Sequence, residues 1–154
     1  MMKISNLLKT LNADPQDIVQ VSGDTPVGMA NTLMKEKHIG ALAVLDDGRL
    51  TGIFSERDVA RGLVDHGPGV VNLKVADLMT TEVISCQSDA SISDAVQLMA
   101  ANGIRHLPVL DGNDMVGFIS MRDIFAIYIS SLEIDNSVLR EQLEVLVSGG
   151  KLGG

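Results

Sequence analysis

Apolar residues recur along this chain with two spacings that alternate. A spacing of three and four residues, which is typical of one face of a helix, occupies residues 27–34 and again residues 92–99. Each of these segments is followed by two short apolar runs joined by turn residues. The runs ALAVLD and RLTGIF flank Asp47-Gly48, and the runs HLPVLD and DMVGFIS flank Gly112-Asn113. The pattern predicts a helix followed by a β-hairpin in each half of the chain.

A short strand and a second helix complete each half. The segments DIVQV (17–21) and EVISC (82–86) are predicted strands, and the Thr25-Pro26 pair predicts a helix that Thr25 caps. The order strand, helix, strand, strand, helix gives an α/β (α+β) fold class with two βαββα units. Each unit alone could bury little surface, so we expect the two to pack sheet to sheet. The residues predicted to begin the second helices are Ser55 and Ser120.

The two halves are copies of one unit. Residues from Ile18 to Ala60 align without a gap to the residues 65 positions later, and thirteen of the forty-three aligned positions are identical. Apolar periodicity alone would match apolar residues, but it would not also match polar residues and glycine in register. Those identities are Asp24/Asp89, Asp46/Asp111, Gly52/Gly117, Ser55/Ser120, Arg57/Arg122 and Asp58/Asp123.

Segments outside the repeats have patterns of their own. Ile4, Leu7, Leu8 and Leu11 have the spacing of one helix face. The stretch 124–134 is apolar nearly all round, so we expect another subunit to cover it. A further helix is predicted from Val138 to Val147, beginning at Asn136 or Ser137. The predicted segments are an N-terminal helical segment (1–14), repeat 1 (15–66), a linker (67–77), repeat 2 (78–131), and a C-terminal helix with a flexible Gly-rich tail (132–154).

Composition narrows the class of protein. No apolar stretch reaches the 18 residues that suggest a membrane span, and no signal-peptide pattern opens the chain, so we expect a cytoplasmic protein without membrane contact. The single cysteine fits a reducing compartment. The net charge of −8 has the wrong sign for nucleic-acid binding. A bound anion would therefore need local positive groups.

Each hairpin ends in the same polar signal, GIFSERD at 52–58 and GFISMRD at 117–123. One interpretation is structural, because a serine followed three residues later by an aspartate is a helix-capping pattern. That interpretation leaves the repeated glycine and arginine unexplained. Arg57 and Arg122 fall in the first helical turn, where a cation opposes the helix dipole. Their repetition indicates an anion there, held also by the free amides of that turn.

The chemistry of this signal suits a nucleoside phosphate. An aspartate one turn into the helix can accept hydrogen bonds from ribose hydroxyls, while serine, arginine and backbone amides face a phosphate. Apolar residues near strand ends can hold a flat base between them. The candidates for that role are Val19, Ile84, Ile39 and Ile104.

Between about residues 14 and 130 the chain resembles tandem cystathionine-β-synthase-type (CBS) domains, or Bateman modules, of the stand-alone bacterial kind. The motifs that carry the resemblance are DIVQV, IGALAVLD and GIFSERD in repeat 1 and MTTEVISC, IRHLPVLD and GFISMRD in repeat 2. The resemblance implies two clefts between the repeats that bind adenine ligands such as AMP, ADP, ATP or NAD(H), with S-adenosylmethionine less favoured. It also implies a homodimer, which we expect through helices around residues 59–64 and 124–134.

The resemblance further implies that each cleft combines the helix start of one repeat with strand residues of the other. Because only one set includes Arg105 and His106, we predict unequal affinities, with the cleft of Asp58 preferring the more highly phosphorylated ligand or a dinucleotide. The expected sets are Ser55, Arg57 and Asp58 with Ile84, Ile104, Arg105 and His106, and Ser120, Arg122 and Asp123 with Val19, Ile39, Gly40 and Ala41.

Three classes of function follow from these patterns. We favour a non-catalytic sensor that responds to a nucleotide by conformational change and signals to a partner. The alternative is an interaction dimer without a nucleotide ligand. We do not expect an enzyme, since the sequence lacks a nucleophile with its base and a Gly-rich phosphate loop. No metal is expected either, because His38 and His66 have no cysteine or glutamate at metal-site spacing, and Cys86 is expected to be an inert buried residue.

Overall fold

Each repeat forms its own three-stranded sheet. The computed structural model describes residues 2–149, with side chains described for residues 2–145. In chain order the elements are α1 (Ile4–Thr10), β1 (Gln20–Val21), α2 (Val27–Lys37), β2 (Ala41–Asp46), β3 (Arg49–Ser55), α3 (Glu56–His66), α4 (Val75–Leu78), β4 (Cys86–Gln87), α5 (Ile92–Asn102), β5 (His106–Asp111), β6 (Asp114–Ser120) and α6 (Met121–Gly149). Two 3-10 helices, Pro15–Asp17 and Gly67–Asn72, lie between them. The mixed α/β fold class and the duplicated βαββα order are thereby confirmed.

The two sheets have the same topology. The middle strand pairs in parallel with the first strand and antiparallel with the third, in the orders β1-β2-β3 and β4-β5-β6. A break in register falls between Val44 and Leu45 in the first sheet and between Val109 and Leu110 in the second, at equivalent positions. The duplication therefore extends to the irregularities of the backbone.

The hairpin turns lie where the sequence predicts them. Asp47 and Gly48 both have positive φ, 50° and 76°, as a two-residue hairpin turn requires. Gly112 has φ 63° in the second turn. The turn residues are local signals, so their prediction did not depend on tertiary contacts.

The first strand of each repeat is shorter than predicted. Only Gln20–Val21 and Cys86–Gln87 pair with the middle strands, so the prediction of five-residue strands at 17–21 and 82–86 is wrong. In repeat 1, Asp14 caps a 3-10 helix that starts at Pro15, and this helix takes up Asp17, the first residue of the predicted strand. Residues 17–19 and 82–84 of these segments line the cavities described below.

The predicted cap of α2 is also wrong. Pro26 occupies the capping position and makes no side-chain cap, while the hydroxyl of Thr25 lies 3.3 Å from the hydroxyl of Ser22. The amide of Val27 instead donates to the backbone carbonyl of Leu73 in the linker, at 2.8 Å. A long-range partner thus satisfies the amide that a local cap would have satisfied.

The segment before each repeat packs on the other repeat. Helix α1 precedes repeat 1 but lies against repeat 2, and α4 in the linker precedes repeat 2 but lies against repeat 1. The hydrogen bonds that dock the two segments are equivalent: Ile4 N to Ala90 O (2.9 Å) and Ser5 N to Ser88 O (2.8 Å) for α1, and Val75 N to Thr25 O (2.8 Å) and Ala76 N to Gly23 O (2.9 Å) for α4. This exchange ties the two repeats together through the backbone.

Each repeat buries a separate apolar cluster, and the exchanged segment contributes to it. Ile4 and Leu7 of α1 are fully buried among residues of repeat 2, and Val70 and Val75 of the linker are buried among residues of repeat 1. The predicted buried faces of α1, α2 and α5 are confirmed. The buried members of those faces are Ile4, Leu7, Val27, Ala30, Met34, Ile92, Ala95 and Met99.

The repeated glycine of the polar signal has a packing role. A Cβ placed on Gly52 would lie 2.6 Å from Sδ of Met79, and one placed on Gly117 would lie 2.6 Å from Cδ2 of Leu8. Met79 follows α4 and Leu8 belongs to α1, so both glycines make room for the exchanged segments. The glycine that the capping interpretation left unexplained is therefore part of the fold.

The C-terminal helix is continuous, contrary to the prediction of a new helix at Asn136 or Ser137. Helix α6 runs through both residues, and every residue from Tyr128 to Val145 is exposed. The expected cover of this apolar stretch by another subunit stays a prediction. Of the predicted flexible tail, residues 150–154 lie outside the described residues. None of the described helices is at once long enough and apolar enough to cross a membrane.

Candidate functional site

Two cavities lie where residues of repeat 1 face residues of repeat 2. The larger, about 710 Å³, contains Asp123 and is called the Asp123 cavity. The smaller, about 510 Å³, contains Asp58 and is called the Asp58 cavity. Both volumes fall in the range of small-molecule and cofactor sites.

The structure brings together every residue of the two predicted sets. Ser55, Arg57 and Asp58 line one cavity with Ile84 and Ile104 of the other repeat. The second cavity likewise combines one helix start with the strand residues of the other repeat, namely Ser120, Arg122 and Asp123 with Val19, Ile39, Gly40 and Ala41. That these residues bind a ligand stays a prediction.

One premise of the predicted asymmetry is wrong. Arg105 and His106 line both cavities, and so do Gly40 and Ala41, because these four residues form a wall between them. Arg105 and His106 therefore cannot distinguish the Asp58 cavity from the Asp123 cavity. A charge difference exists, but other residues carry it, as described below.

The start of α3 forms a complete capping box. Oδ2 of Asp58 accepts hydrogen bonds from the amide of Ser55 at 2.9 Å and from its hydroxyl at 3.1 Å, and Ser55 Oγ caps the amide of Asp58. Asp58 is 6 % exposed. The structural interpretation of the Ser-x-x-Asp signal is therefore correct in repeat 1.

The start of α6 is built in the same way. Oδ2 of Asp123 accepts from the amide of Ser120 at 2.8 Å, and Oγ of Ser120 accepts from the amide of Asp123 at 3.1 Å. In both repeats Oδ1 of the aspartate has no hydrogen bond to the described residues, and no described buried side-chain oxygen lacks a partner. Each Oδ1 is thus accessible and can accept a hydrogen bond from a ligand.

Fewer backbone amides are free at these helix starts than the sequence suggested. The amide of Glu56 donates to the carbonyl of Gly40 at 3.0 Å, and the amide of Met121 donates to the carbonyl of Arg105 at 2.9 Å. With the caps also made, only the amides of Arg57 and Arg122 remain for an anion. Each cavity therefore offers one amide rather than a whole turn of amides.

The two repeated arginines have different surroundings. Nη1 of Arg57 donates to the carbonyl of Gly103 at 3.2 Å, beside the end of α5, whose negative pole offsets the cost of a cation at the start of α3. The guanidinium of Arg122 makes no hydrogen bond or ion pair with any residue in the described part of the chain. Arg122 is exposed and lines the Asp123 cavity. The dipole argument for an anion therefore applies to Arg122 more strongly than to Arg57.

Several cavity residues were missed from the sequence. Arg61 lies one helical turn after Arg57 and lines only the Asp58 cavity. The shared helix face was the signal that could have found it. Asp17 and Glu82, at equivalent positions of the repeats, line the Asp123 and Asp58 cavities respectively. Asp14 also lines the Asp123 cavity and Glu56 lines the Asp58 cavity, so each cavity gains two carboxylates and only the Asp58 cavity gains an arginine.

His106 occupies the wall between the cavities. Its ring lies 5.8 Å from the ring of Phe118 at an angle of 34°. Burial lowers the pKa of His106, the charges of Asp123 and Glu56 raise it, and the charge of Arg105 lowers it. Because Asp123 and Glu56 approach from the two different repeats, the charge state of His106 responds to both sides of the wall.

Neither Cys86 nor a cluster of metal-ligating residues forms a second functional site in the described part of the chain. Cys86 is buried among apolar residues of repeat 2, and burial raises the pKa of its thiol to about 11. This agrees with the expectation of an unreactive thiol. No group of three or more His, Cys, Asp or Glu side chains suited to a metal ion occurs within residues 2–145.

Comparison with known proteins now identifies the family. The CBS domain model matches residues 14–65 and 75–130. This chain belongs to the CBS-domain family. The CBS domain-containing protein YhcV of Bacillus subtilis is 35 % identical over 107 residues, which cover 70 % of this chain and 76 % of YhcV. An inosine-5'-monophosphate dehydrogenase of Methanocaldococcus jannaschii is 36 % identical over 111 residues, which cover 71 % of this chain but only 21 % of that enzyme.

Solved structures of CBS-domain proteins share the fold. The CBS-domain protein ATU1752 of Agrobacterium tumefaciens is 29 % identical with a TM-score of 0.77, and the match covers 82 % of this chain and 99 % of that one. The CBS domain pair of protein MJ0100, solved in complex with 5'-methylthioadenosine and S-adenosyl-L-methionine, has a TM-score of 0.72 over 85 % of this chain and 98 % of that one. Its identity is 19 %, so this likeness concerns the fold alone.

Proposed function

We propose that this CBS-domain protein is a non-catalytic regulatory module that binds an adenine nucleotide, such as AMP, ADP, ATP or NAD(H), in one or both cavities. The observation that carries the proposal is the composition of each cavity. A capped aspartate with one free carboxylate oxygen, a serine and an arginine from one repeat face apolar strand residues of the other. These groups match a ribose, a phosphate and a base respectively.

The neighbouring structure of MJ0100 supports an adenosine ligand, since that CBS pair holds 5'-methylthioadenosine and S-adenosyl-L-methionine. The arginines of this chain favour a phosphorylated ligand over S-adenosylmethionine, which carries a positive sulfonium. Arg57, Arg61 and Arg105 all line the Asp58 cavity, and Arg105 and Arg122 line the Asp123 cavity. A phosphate can accept charge-assisted hydrogen bonds from these groups, whereas a sulfonium would be repelled.

Signalling follows from the position of the cavities between the repeats. A nucleotide there contacts both repeats at once, so binding favours one relative arrangement of the two. We propose that this arrangement is communicated to a partner protein through a homodimer that uses the helices around residues 59–64 and 124–134. Exposed apolar side chains on both helices support that surface, among them Leu63, Val64 and Phe125. A cytoplasmic location belongs to the same proposal.

The alternative is an interaction dimer with no nucleotide ligand. It is favoured by the same exposed apolar side chains and by the finding that the Ser-x-x-Asp signal already serves as a helix cap. Against it stands Arg122, which is exposed, opposes the dipole of α6 and makes no hydrogen bond or ion pair with the described residues that would explain it. An enzymatic role is not proposed.

Thermal unfolding with a panel of ligands tests the proposal. AMP, ADP, ATP, NAD, NADH and S-adenosylmethionine are compared with GMP and GTP, and native mass spectrometry identifies any nucleotide that co-purifies. A ligand at about a hundred times its Kd should add roughly 2.7 kcal/mol to the free energy of unfolding. No stabilisation by any adenine compound, together with no co-purified nucleotide, would leave the interaction dimer as the better account.

A further inference from the structure

Most of α6 is exposed on the surface of the subunit. The helix has 29 residues, about 44 Å of length, and its exposed stretch begins at Tyr128. In proteins most helical stability comes from packing of an apolar face rather than from intrinsic helix propensity. Something must therefore cover part of α6, and its sequence indicates what.

Five exposed apolar residues of α6 follow a heptad repeat that one polar residue interrupts. With Ile129 as an a position, Leu143 is also an a position, and Phe125, Leu132 and Leu139 are d positions. Their exposed fractions lie between 56 and 60 %. The a position halfway between Ile129 and Leu143 is Asn136. The seam runs over about 27 Å along one side of the helix.

We propose that α6 pairs with α6 of a second copy of this chain as a parallel, in-register, two-stranded coiled coil. Ile129, Leu132, Leu139 and Leu143 form its apolar layers, and Asn136 lies opposite the partner's Asn136. Leucine at d positions with a single asparagine at an a position is the pattern that specifies two parallel strands in register. The inference rests on the homodimer proposed above for residues 124–134, whose arrangement it specifies, and it does not rest on nucleotide binding.

Asn136 is the residue that makes the pairing specific. An asparagine amide can hydrogen-bond its own copy across a parallel pair, but an antiparallel pair would place it against leucine and bury it without a partner. The same residue looks like a helix cap from the sequence, although α6 passes through it. A polar residue in the middle of an apolar stripe lowers stability, but it specifies the parallel orientation of the two helices.

Charges beside the seam point the same way. In a parallel pair, Asp135 at a g position faces the partner's Arg140 at an e position, and this attraction occurs twice by symmetry. An antiparallel pair of the same seam would bring Asp135 opposite the partner's Asp135 and Glu133 opposite the partner's Glu133. Like charges at these distances repel. Among the described residues, neither Asp135 nor Arg140 forms an ion pair within the subunit.

Disulfide trapping tests the orientation directly. In a Cys86→Ala background, Leu139→Cys places a thiol at a d position, where a parallel in-register pair brings it beside its own copy. The matched control is Val138→Cys, whose parent side chain is also exposed but lies outside the seam. Mild oxidation should link L139C subunits at least about tenfold faster than V138C subunits. Equal rates, or a faster link between Ile129→Cys and Leu139→Cys subunits when the two are mixed, would overturn the parallel arrangement.

Substitution of the seam tests the pairing itself. Leu139→Asp should weaken subunit association by roughly tenfold or more, while Val138→Asp, at an exposed position outside the seam, should not. Asn136→Leu should strengthen association and produce larger oligomers, because the residue that restricts the number of strands is gone. Native mass spectrometry and light scattering report both results. A monomeric parent protein, an α6 occupied by a different protein, or an unchanged oligomeric state in N136L would contradict the proposal.

Discussion

In the Asp58 cavity the guanidinium of Arg57 donates to the carbonyl of Gly103, whereas in the Asp123 cavity Arg122 makes no such bond to any residue that the structure describes. The backbone around the two arginines is the same, because both helix starts carry the same cap and the same amide bond to the residue that precedes the middle strand of the sheet. The difference teaches that the duplication preserves the backbone and its caps while the contacts of charged side chains diverge. Each repeat thus serves as a control for the other.

The largest expected difference concerns the two glycines that receive the exchanged segments. A Cβ on Gly52 would meet Met79 and also lie 3.0 Å from the carbonyl of Thr80, which is held by the backbone bridge to Ile53. The three atoms nearest to a Cβ on Gly117 all belong to the side chain of Leu8, which can move. Gly52→Ala should therefore lower the free energy of unfolding by about 1–3 kcal/mol, and Gly117→Ala by clearly less.

Urea denaturation of the two variants checks this difference, with Gly69→Ala as a control, since a Cβ there meets nothing within 4 Å. Equal losses at Gly52 and Gly117 would show that the side chain of Leu8 is as rigidly placed as the backbone of Thr80.

The secondary structure of each repeat was predictable from local signals, but the packing of α1 and α4 on the opposite repeat was not. The hairpins follow from turn residues such as Asp47 and Gly48, which require positive φ whatever surrounds them. The docking of α1 on repeat 2 depends on contacts between residues some 85 positions apart, and no local pattern encodes which repeat an amphipathic helix will cover. The failed cap at Thr25 has the same cause, since the linker supplies the missing acceptor.

The predicted residues of each cavity were identified correctly from the sequence, but the charged side chains that distinguish the two cavities were not. Serine, arginine and aspartate recur at a distance of 65 positions. The family resemblance then paired each helix start with strand residues of the other repeat. Arg61 could not be found by the repeat, because its equivalent in repeat 2 is Ala126. Arg105 and His106 were assigned to one cavity, because the sequence does not show that residues at the start of a strand can line two cavities at once.

The two arginines should separate stability from binding. Arg57→Gln removes the hydrogen bond to Gly103 and should cost about 0.5–1 kcal/mol of stability, whereas Arg122→Gln should leave stability within about 0.5 kcal/mol. Both changes should weaken nucleotide binding in their own cavity by roughly tenfold, the loss of one charge-assisted hydrogen bond to phosphate. Calorimetric titration and thermal unfolding measure the two effects, with Arg49→Gln as a charge-matched control outside both cavities. Unchanged affinity in R122Q would remove the phosphate role from this residue.

Arg61 should set the preference between ligands with one and several phosphates. It lies in the Asp58 cavity only, where it adds a second cation on the same helix face as Arg57. Arg61→Gln should reduce affinity for ADP or ATP several-fold at that cavity while affinity for AMP changes little. The reciprocal change Ala126→Arg should raise the affinity of the Asp123 cavity for ADP. Competition titrations with AMP and ADP decide the point, and a parallel loss for both ligands in R61Q would assign Arg61 to a phosphate that they share.

The smallest effect belongs to His106, the residue common to both cavities. Burial lowers its pKa from the ordinary value of 6.5, so the folded protein favours the neutral ring. As the pH falls below about 6.5, the unfolded chain takes up this proton first, and the free energy of unfolding decreases until the folded-state pKa is passed. His106→Gln should remove this part of the pH dependence, while His66→Gln, in an exposed position at the end of α3, should retain it.

Ligand binding adds a second, opposite contribution at the same residue. A phosphate in either cavity places negative charge near the wall, in addition to Asp123 and Glu56, and so raises the pKa of His106 against the effect of burial and Arg105. Nucleotide affinity should then increase modestly as the pH falls through the range where His106 takes up its proton, and binding should take up protons from the buffer. Calorimetry in buffers of different ionisation enthalpy measures that uptake. Proton uptake that persists in H106Q would show that another group takes up the proton and that His106 does not couple the two cavities electrostatically.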